Sequence, residues 1–286
     1  MDRKKLYLTA AGIGAGLLVR SVLRRPKGEN LYGKVVLITG AARGLGRSLA
    51  RGFAAEGAKL AICDHDPAEL EEARLEVAAR GTHVLALRCD VTNLAQVDGM
   101  AEAAIEHYGG IDILVNNAGA VYTGAQQQMT LEDFEQAMAG MFWGIVYPTR
   151  AVLPHMMDRK AGRIVNITST GDKFAASHLL PQDCAKFAAI GFSEGLRAEL
   201  LEQNISVVTV APGRLSPNHA RAARQIVTAA ERGEANGMSP GHQSDILRVI
   251  GDLLPLESHG QDENLTTVRS ALTALARIAA RRYLRS

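Results

Sequence analysis

Thr39-Gly40-Ala41-Ala42-Arg43-Gly44-Leu45-Gly46 places three glycines between an apolar run and a helical pattern. Glycines let a backbone approach a diphosphate closely. A helix opening there turns its amides and positive dipole end toward the anion. Asp64, 18 residues beyond Gly46, closes the next apolar run. A carboxylate in that place accepts hydrogen bonds from both hydroxyls of an adenosine ribose and repels a 2′-phosphate, which favours NAD(H) over NADP(H). Arg43 softens the preference by offering a cation to that phosphate. Asp64 also suits the start of the turn before the next helix, so a purely structural role stands beside the ribose role.

These residues need elements to hold them. Val35–Thr39 is a β-branched run ending at Gly40 and reads as a buried strand. A helix is predicted over about Leu45–Glu56, then a strand over Lys59–Cys63. Asp66-Pro67-Ala68-Glu69 combines an N-cap, a proline in the first turn and an acidic residue, opening a helix to about Arg80. Strands follow at His83–Arg88, Ile111–Val115, Arg163–Thr168 and Ile205–Val210, and helices at Leu94–Tyr108, Thr130–Met157 and Cys184–Glu202. Strands alternating with helices predict a single α/β domain, a doubly wound parallel sheet covered on both faces. Beyond Gly213 the pattern weakens: helices suit His219–Arg232 and Gln243–Leu254, Gly233–Gly241 reads as a loop, and no last strand stands out.

With 286 residues, 47% hydrophobic and 22% charged, the composition is that of a globular protein. Only 5% is aromatic, so Ala, Leu, Val and Ile must build the core. A net charge of +2 argues against a dedicated nucleic-acid binder. Cys63, Cys89 and Cys184 lie far apart, with no metal-ligand spacing; they read as small buried hydrophobes in a reducing, cytoplasmic setting.

The balanced total conceals two basic ends. Residues 1–33 carry +5 and residues 265–286 carry +5 with no acidic group, leaving −8 between them. Leu6–Val19 is uncharged and flanked by basic residues. As a helix its fourteen residues reach about 21 Å, short of the roughly 30 Å hydrocarbon core. A tilted, re-entrant or interfacial membrane anchor suits it better than a cleaved signal; a helix packed on the domain or on a second subunit is the bland alternative. Leu265–Ser286 sets Val268, Leu272, Leu275 and Ala279 on one face and Arg269, Arg277, Arg281 and Arg285 on the other. It suits either a membrane-surface helix or a solvated one. The expected organisation is therefore residues 1–30 as anchor and linker, 31–264 as the dinucleotide-binding domain, and 265–286 as the basic helix.

Thr39–Gly46 matches the TGxxxGxG turn of the short-chain dehydrogenase/reductases. Asp90-Val91 resembles that family's adenine contact, Asn116-Asn117-Ala118-Gly119 its NNAG motif, and Pro212-Gly213 its segment after the sixth strand. The resemblance runs unbroken from about residue 34 to 214 and implies a Rossmann-type fold. Thr39, Gly40, Arg43, Gly44, Leu45, Gly46, Asp64, Asp90, Val91, Asn117, Ala118, Gly119, Lys186, Pro212 and Gly213 would then bind the cofactor. Gly237-Met-Ser-Pro240, with the basic apolar amino terminus, is similar to membrane-associated members. The resemblance further implies interconversion of an alcohol and a ketone on a small, lipophilic substrate, and pairing into a homodimer or homotetramer through Thr130–Met157 and Cys184–Glu202.

In that family a serine places the substrate oxygen and a tyrosine exchanges a proton with it. A lysine binds the nicotinamide ribose and lowers the tyrosine's pKa, and an asparagine assists. Ser169 matches the serine and Lys186, 17 residues on, the lysine. The tyrosine slot, four residues before the lysine, holds Gln182; the asparagine slot holds Met141; and Pro217 stands where a threonine is usual. A carboxamide donates a hydrogen bond but releases no proton near neutrality, so hydride transfer should be slowed about 10²–10⁴-fold. His178, Asp183 and Cys184 are nearby, His178 being the most suitable substitute acid by its ordinary pKa. An impaired oxidoreductase and a non-catalytic dinucleotide-binding sensor, scaffold or dimer partner are the two resulting readings.

Overall fold

The computed structural model describes residues 28–119, 130–168, 179–210, 219–233 and 236–237. All of them fall within one compact unit, Met1–Gly237. Ser169, His178, Pro212, Gly213, Pro217 and the stretches 1–27 and 238–286 lie outside the described residues, and with them the anchor and both carboxy-terminal helices read from the sequence.

Seven parallel strands form one sheet in the order β3-β2-β1-β4-β5-β6-β7. In chain order the elements are β1 (Val35–Thr39), α1 (Gly44–Ala55), β2 (Lys59–Asp64), α2 (Pro67–Ala78), β3 (Val84–Arg88), α3 (Leu94–Tyr108) and β4 (Ile113–Asn116). They continue as α4 (Leu131–Ala137), a π turn (Met138–Trp143), α5 (Gly144–Arg159), β5 (Gly162–Ile167), α6 (Leu180–Glu199), β6 (Ile205–Val210), α7 (His219–Arg232) and β7 (Asn236–Gly237). The expected doubly wound parallel sheet is thus the fold. β1 pairs with β2 on one side and β4 on the other, with Val36 opposite both Leu60 and Ile113. Strand order reverses between β1 and β4, and in open α/β sheets ligands bind beyond the carboxyl ends of the strands at such a switch point.

Val, Ile, Leu and Ala supply nearly all of the core. β1 is buried along its whole length, as expected of a strand covered on both faces. Phe53, on α1, is the one fully buried large aromatic side chain among the described residues. α1 packs on α7 closely enough that a Cβ on Gly52 would stand 3.0 Å from Val227. Asp66 caps α2 as the sequence suggests, accepting from the amides of Ala68 and Glu69, and Asn93 likewise accepts from the Gln96 amide at the start of α3.

Several boundaries differ from expectation. The single helix read over Thr130–Met157 is two helices joined by the π turn; Gly140 and Gly144 weaken the junction, and Pro148 brings no N–H to the ladder. β4 begins at Ile113 rather than Ile111; just before it, the Asp112 carboxylate accepts from the Val35 amide and from Arg159. α6 starts at Leu180 instead of Cys184, opened by Pro181, whose missing N–H costs nothing in a first turn. β7 occupies two residues of the segment read as a loop, too few to show any alternation. Cys63 and Cys89 are buried as expected, but Cys184 is exposed.

Candidate nucleotide and proton-transfer site

The carboxyl ends of β1 and β4 are tied together by side chains. Thr39, fully buried, accepts through Oγ1 from the amides of Asn117 (3.1 Å) and Ala118 (3.0 Å). In return, Asn117 Nδ2 donates to the carbonyls of Thr39 (3.0 Å) and Gly40 (2.9 Å). Gly40 has φ +63°, and a Cβ there would sit 2.9 Å from Ala118 Cα. A Cβ on Gly46 would fall 1.9 Å from the Gly40 carbonyl oxygen and 2.7 Å from Asn117 Nδ2. Two of the three glycines are therefore required by packing within the turn. Gly44, with φ +54°, faces open space.

That open side coincides with the start of α1. Side chains cap α2, α3 and α4, whereas Arg43 gives α1 no side-chain cap and no acidic residue occupies its first turn. A helix start with unsatisfied amides, beside a glycine facing open space, fits a phosphate. Arg43 is exposed and lies 3.5 Å from Glu69 on α2.

Asp64 is buried at the end of β2. Its Oδ2 accepts from the Ala42 amide at 3.1 Å, joining β2 to the glycine turn. Its Oδ1 accepts from the His65 amide at 2.8 Å and lies 2.9 Å from His65 Nδ1. The turn-forming role is therefore realised, while a carboxylate with about four lone-pair positions retains capacity for a hydroxyl. Asp90 is exposed and accepts from the amide and hydroxyl of Thr92. Val91 Cγ2 would lie 3.1 Å from a Cβ on Gly144, so this glycine lets α5 approach.

On the far side, Met141 belongs to the π turn; a Cβ on Gly119 would be 3.9 Å from its Cγ. α6 packs on that turn and carries Gln182 and Lys186, both buried. Ser169 follows Thr168, whose amide donates to the Val210 carbonyl; Ser169 itself lies outside the described residues.

A buried polar chain, not read from the sequence, links β4, β5, α5 and α6. Asn116 donates to Asn166 (2.8 Å) and to Thr149 (3.0 Å), and Asn166 donates to Ser193 (2.8 Å). The available signal was an asparagine near the end of two neighbouring strands; in the sheet Asn116 and Asn166 are register partners. Among the described residues no group of three His, Cys, Asp or Glu side chains is placed to hold a metal ion, and no helix is long and apolar enough to cross a membrane.

A parallel doubly wound sheet with a glycine turn at its switch point defines the class. The family model described as short chain dehydrogenase matches residues 34–227. The chain belongs to that family. It is 36% identical over 217 residues to a dehydrogenase/reductase SDR family protein 7-like of Anopheles gambiae, covering 74% of this chain and 68% of the relative. Over 248 residues it is 32% identical to dehydrogenase/reductase SDR family member 7B of Mus musculus, covering 84% and 77%. The crystal structure of a metagenomic short-chain oxidoreductase in complex with NADP is similar, with a TM-score of 0.67 and 26% identity, over 74% of this chain and 98% of that one.

Proposed function

We propose that this oxidoreductase-family chain binds NAD(H) across the carboxyl ends of β1 to β4 and is impaired in proton transfer to its substrate. The supporting observation is the interlocked glycine turn opening onto the uncapped start of α1. Amides of the turn would hold the diphosphate, Asp64 the adenosine ribose, Asp90-Val91 the adenine edge, and Lys186 the nicotinamide ribose. When bound, the nicotinamide supplies or accepts the hydride. Ser169 would orient the substrate oxygen, and Gln182 would donate a hydrogen bond to a carbonyl without delivering a proton. Preference for NAD(H) rests on Asp64, although the metagenomic relative was solved with NADP. The substrate class is a small, lipophilic alcohol or ketone, by analogy with the family.

Gln182 and Met141 also favour a second reading, a dinucleotide-binding sensor, scaffold or dimer partner without turnover. Pairing would use the α4–α5 and α6 helices, and membrane association would use the two basic ends.

Titration with NADH and NADPH, followed through quenching of the only tryptophan, Trp143, tests the first reading. Tighter NADH binding is expected, with turnover on a carbonyl panel that Gln182→Tyr raises and Met141→Asn raises further. Absence of NADH binding would sink both readings. Brisk turnover in the unaltered chain would remove the impairment and point to His178 or Asp183. Partitioning of the full chain on anionic vesicles at low salt, against a version lacking residues 1–30, tests the membrane role.

A further inference from the structure

Asp64, Asp183 and Lys186 are the only charged side chains buried among the described residues. Two of them form a pair: Asp183 Oδ1 lies 3.7 Å from Lys186 Nζ, one turn apart on α6. Their exposures are 3% and 7%. Burying an ammonium is tolerable when an opposite charge lies within a few ångströms, and in such a medium the mutual field is stronger than in water. Asp183 does not cap its helix, since no side-chain hydrogen bond caps α6. At 3.7 Å the attraction is mainly that of charges rather than a short hydrogen bond.

The surroundings add no competing buried charge among the described residues. The π turn and β6 carry no ionisable group, and Glu132, Asp133 and Glu135 of α4 are exposed. Farther along α6, Glu194 and Glu199 are exposed, and Arg197 is engaged with Glu194. Among the described residues, Lys186 and Asp183 are the buried charges of α6, on the same helix as position 182.

We propose that Asp183 acts through Lys186, cancelling the positive charge that a proton-transferring group at position 182 would depend on. The inference rests on the reading of Lys186 as the lysine that serves the 182 slot. Two side chains then silence proton transfer: Gln182 removes the acid, and Asp183 offsets the charge that would tune it. Restoring a phenol alone restores the site only in part.

The test compares Gln182→Tyr, Gln182→Tyr with Asp183→Asn, and Gln182→Tyr with Asp183→Glu, each checked by thermal melting. Titration of the introduced phenol, read as tyrosinate absorbance against the Gln182 parent, needs no cofactor. Its midpoint is expected to fall by about one pH unit or more with Asp183→Asn and to stay put with Asp183→Glu; one unit corresponds to about a tenfold change in the ionisation constant. Turnover with NADH should rise about tenfold in the same step. Asp183→Ser serves in place of Asp183→Asn where that variant melts early. Equal midpoints with and without the carboxylate would overturn the inference. So would a loss of turnover on removing Asp183, which would make it the acid–base group itself. Should no variant bind NADH, the cofactor reading falls while the phenol titration still decides this one.

Discussion

Asn117 reaches across from the end of β4 and holds the Gly40 carbonyl at 2.9 Å, with the neighbouring Thr39 carbonyl at 3.0 Å on the same nitrogen. The turn proposed to meet the diphosphate is therefore shaped from a different strand, and its geometry depends on a side chain 77 residues away. Asn117→Ala leaves those carbonyls without that donor and should cost about 1–3 kcal/mol of stability. Asn117→Asp should cost more, because it aims a carboxylate at two carbonyl oxygens. Urea melts of both variants decide this, and NADH affinity should fall in the same order.

Gly46 and Gly44 make a controlled contrast. Alanine at Gly46 drives a methyl group against the Gly40 carbonyl, whereas at Gly44 it meets only open space and the strain of φ +54°. Gly44→Ala should cost about 1–2 kcal/mol. Gly46→Ala should exceed that and reduce NADH affinity more than tenfold, since backbone must shift to admit it. Equal melting temperatures for the two would contradict the packing argument.

Cofactor choice should follow the charges at the end of β2. Asp64→Asn keeps an acceptor for the Ala42 amide but removes the charge, so the ratio of NADH to NADPH affinity should fall about tenfold, a difference of about 1.4 kcal/mol. Glu69→Gln releases Arg43 from its 3.5 Å ion pair and should strengthen NADPH binding several-fold with little change for NADH. Paired titrations on Trp143 report both.

α1 and α2 are joined by Glu76, which accepts from Arg51 and from Arg47. The hydrogen bond from Arg51, above all, holds the Glu76 carboxyl below its ordinary 4.5. A depressed carboxyl adds stability above pH 4.5 that is lost as pH falls through its folded-state value. Glu76→Gln should therefore destabilise the protein by about 1 kcal/mol at neutral pH and by progressively less in acid. A gap between the two melting curves that stayed constant down to low pH would refute this linkage.

Much of the fold could be read in the sequence because its signals were local. A β-branched run ending in glycine marked β1, an apolar run closed by Asp64 marked β2, and Asp66-Pro67 marked the start of α2. What escaped depended on three-dimensional context. Nothing local distinguishes a π turn from an α-helix at Met138–Trp143, and a two-residue strand has no period. For the candidate site, the glycine turn and Asp64 were visible as types and spacings. The Asn117 clamp was visible only as part of a family motif, without its mechanical reason. Asp183 was read as a neighbour of the slot and a candidate acid, not as a partner of Lys186, because its burial comes only once other elements pack on α6. The pairing of Asn116 with Asn166 needed the strand register.

The π turn also bears on helical phase. On either side of it Ala137 is buried in α4, and Ile145, Thr149 and Val152 are buried in α5. Each residue of an α-helix turns by about 100°. Removing one residue between Met138 and Trp143 would let the helix run on regularly with nearly the same phase on either side, because the looser winding of a π turn spreads one extra residue over about the same rotation. Point substitutions there alter a side chain; a single-residue deletion would withdraw the inserted residue and with it the local bulge that carries Met141, leaving the glycine turn in place.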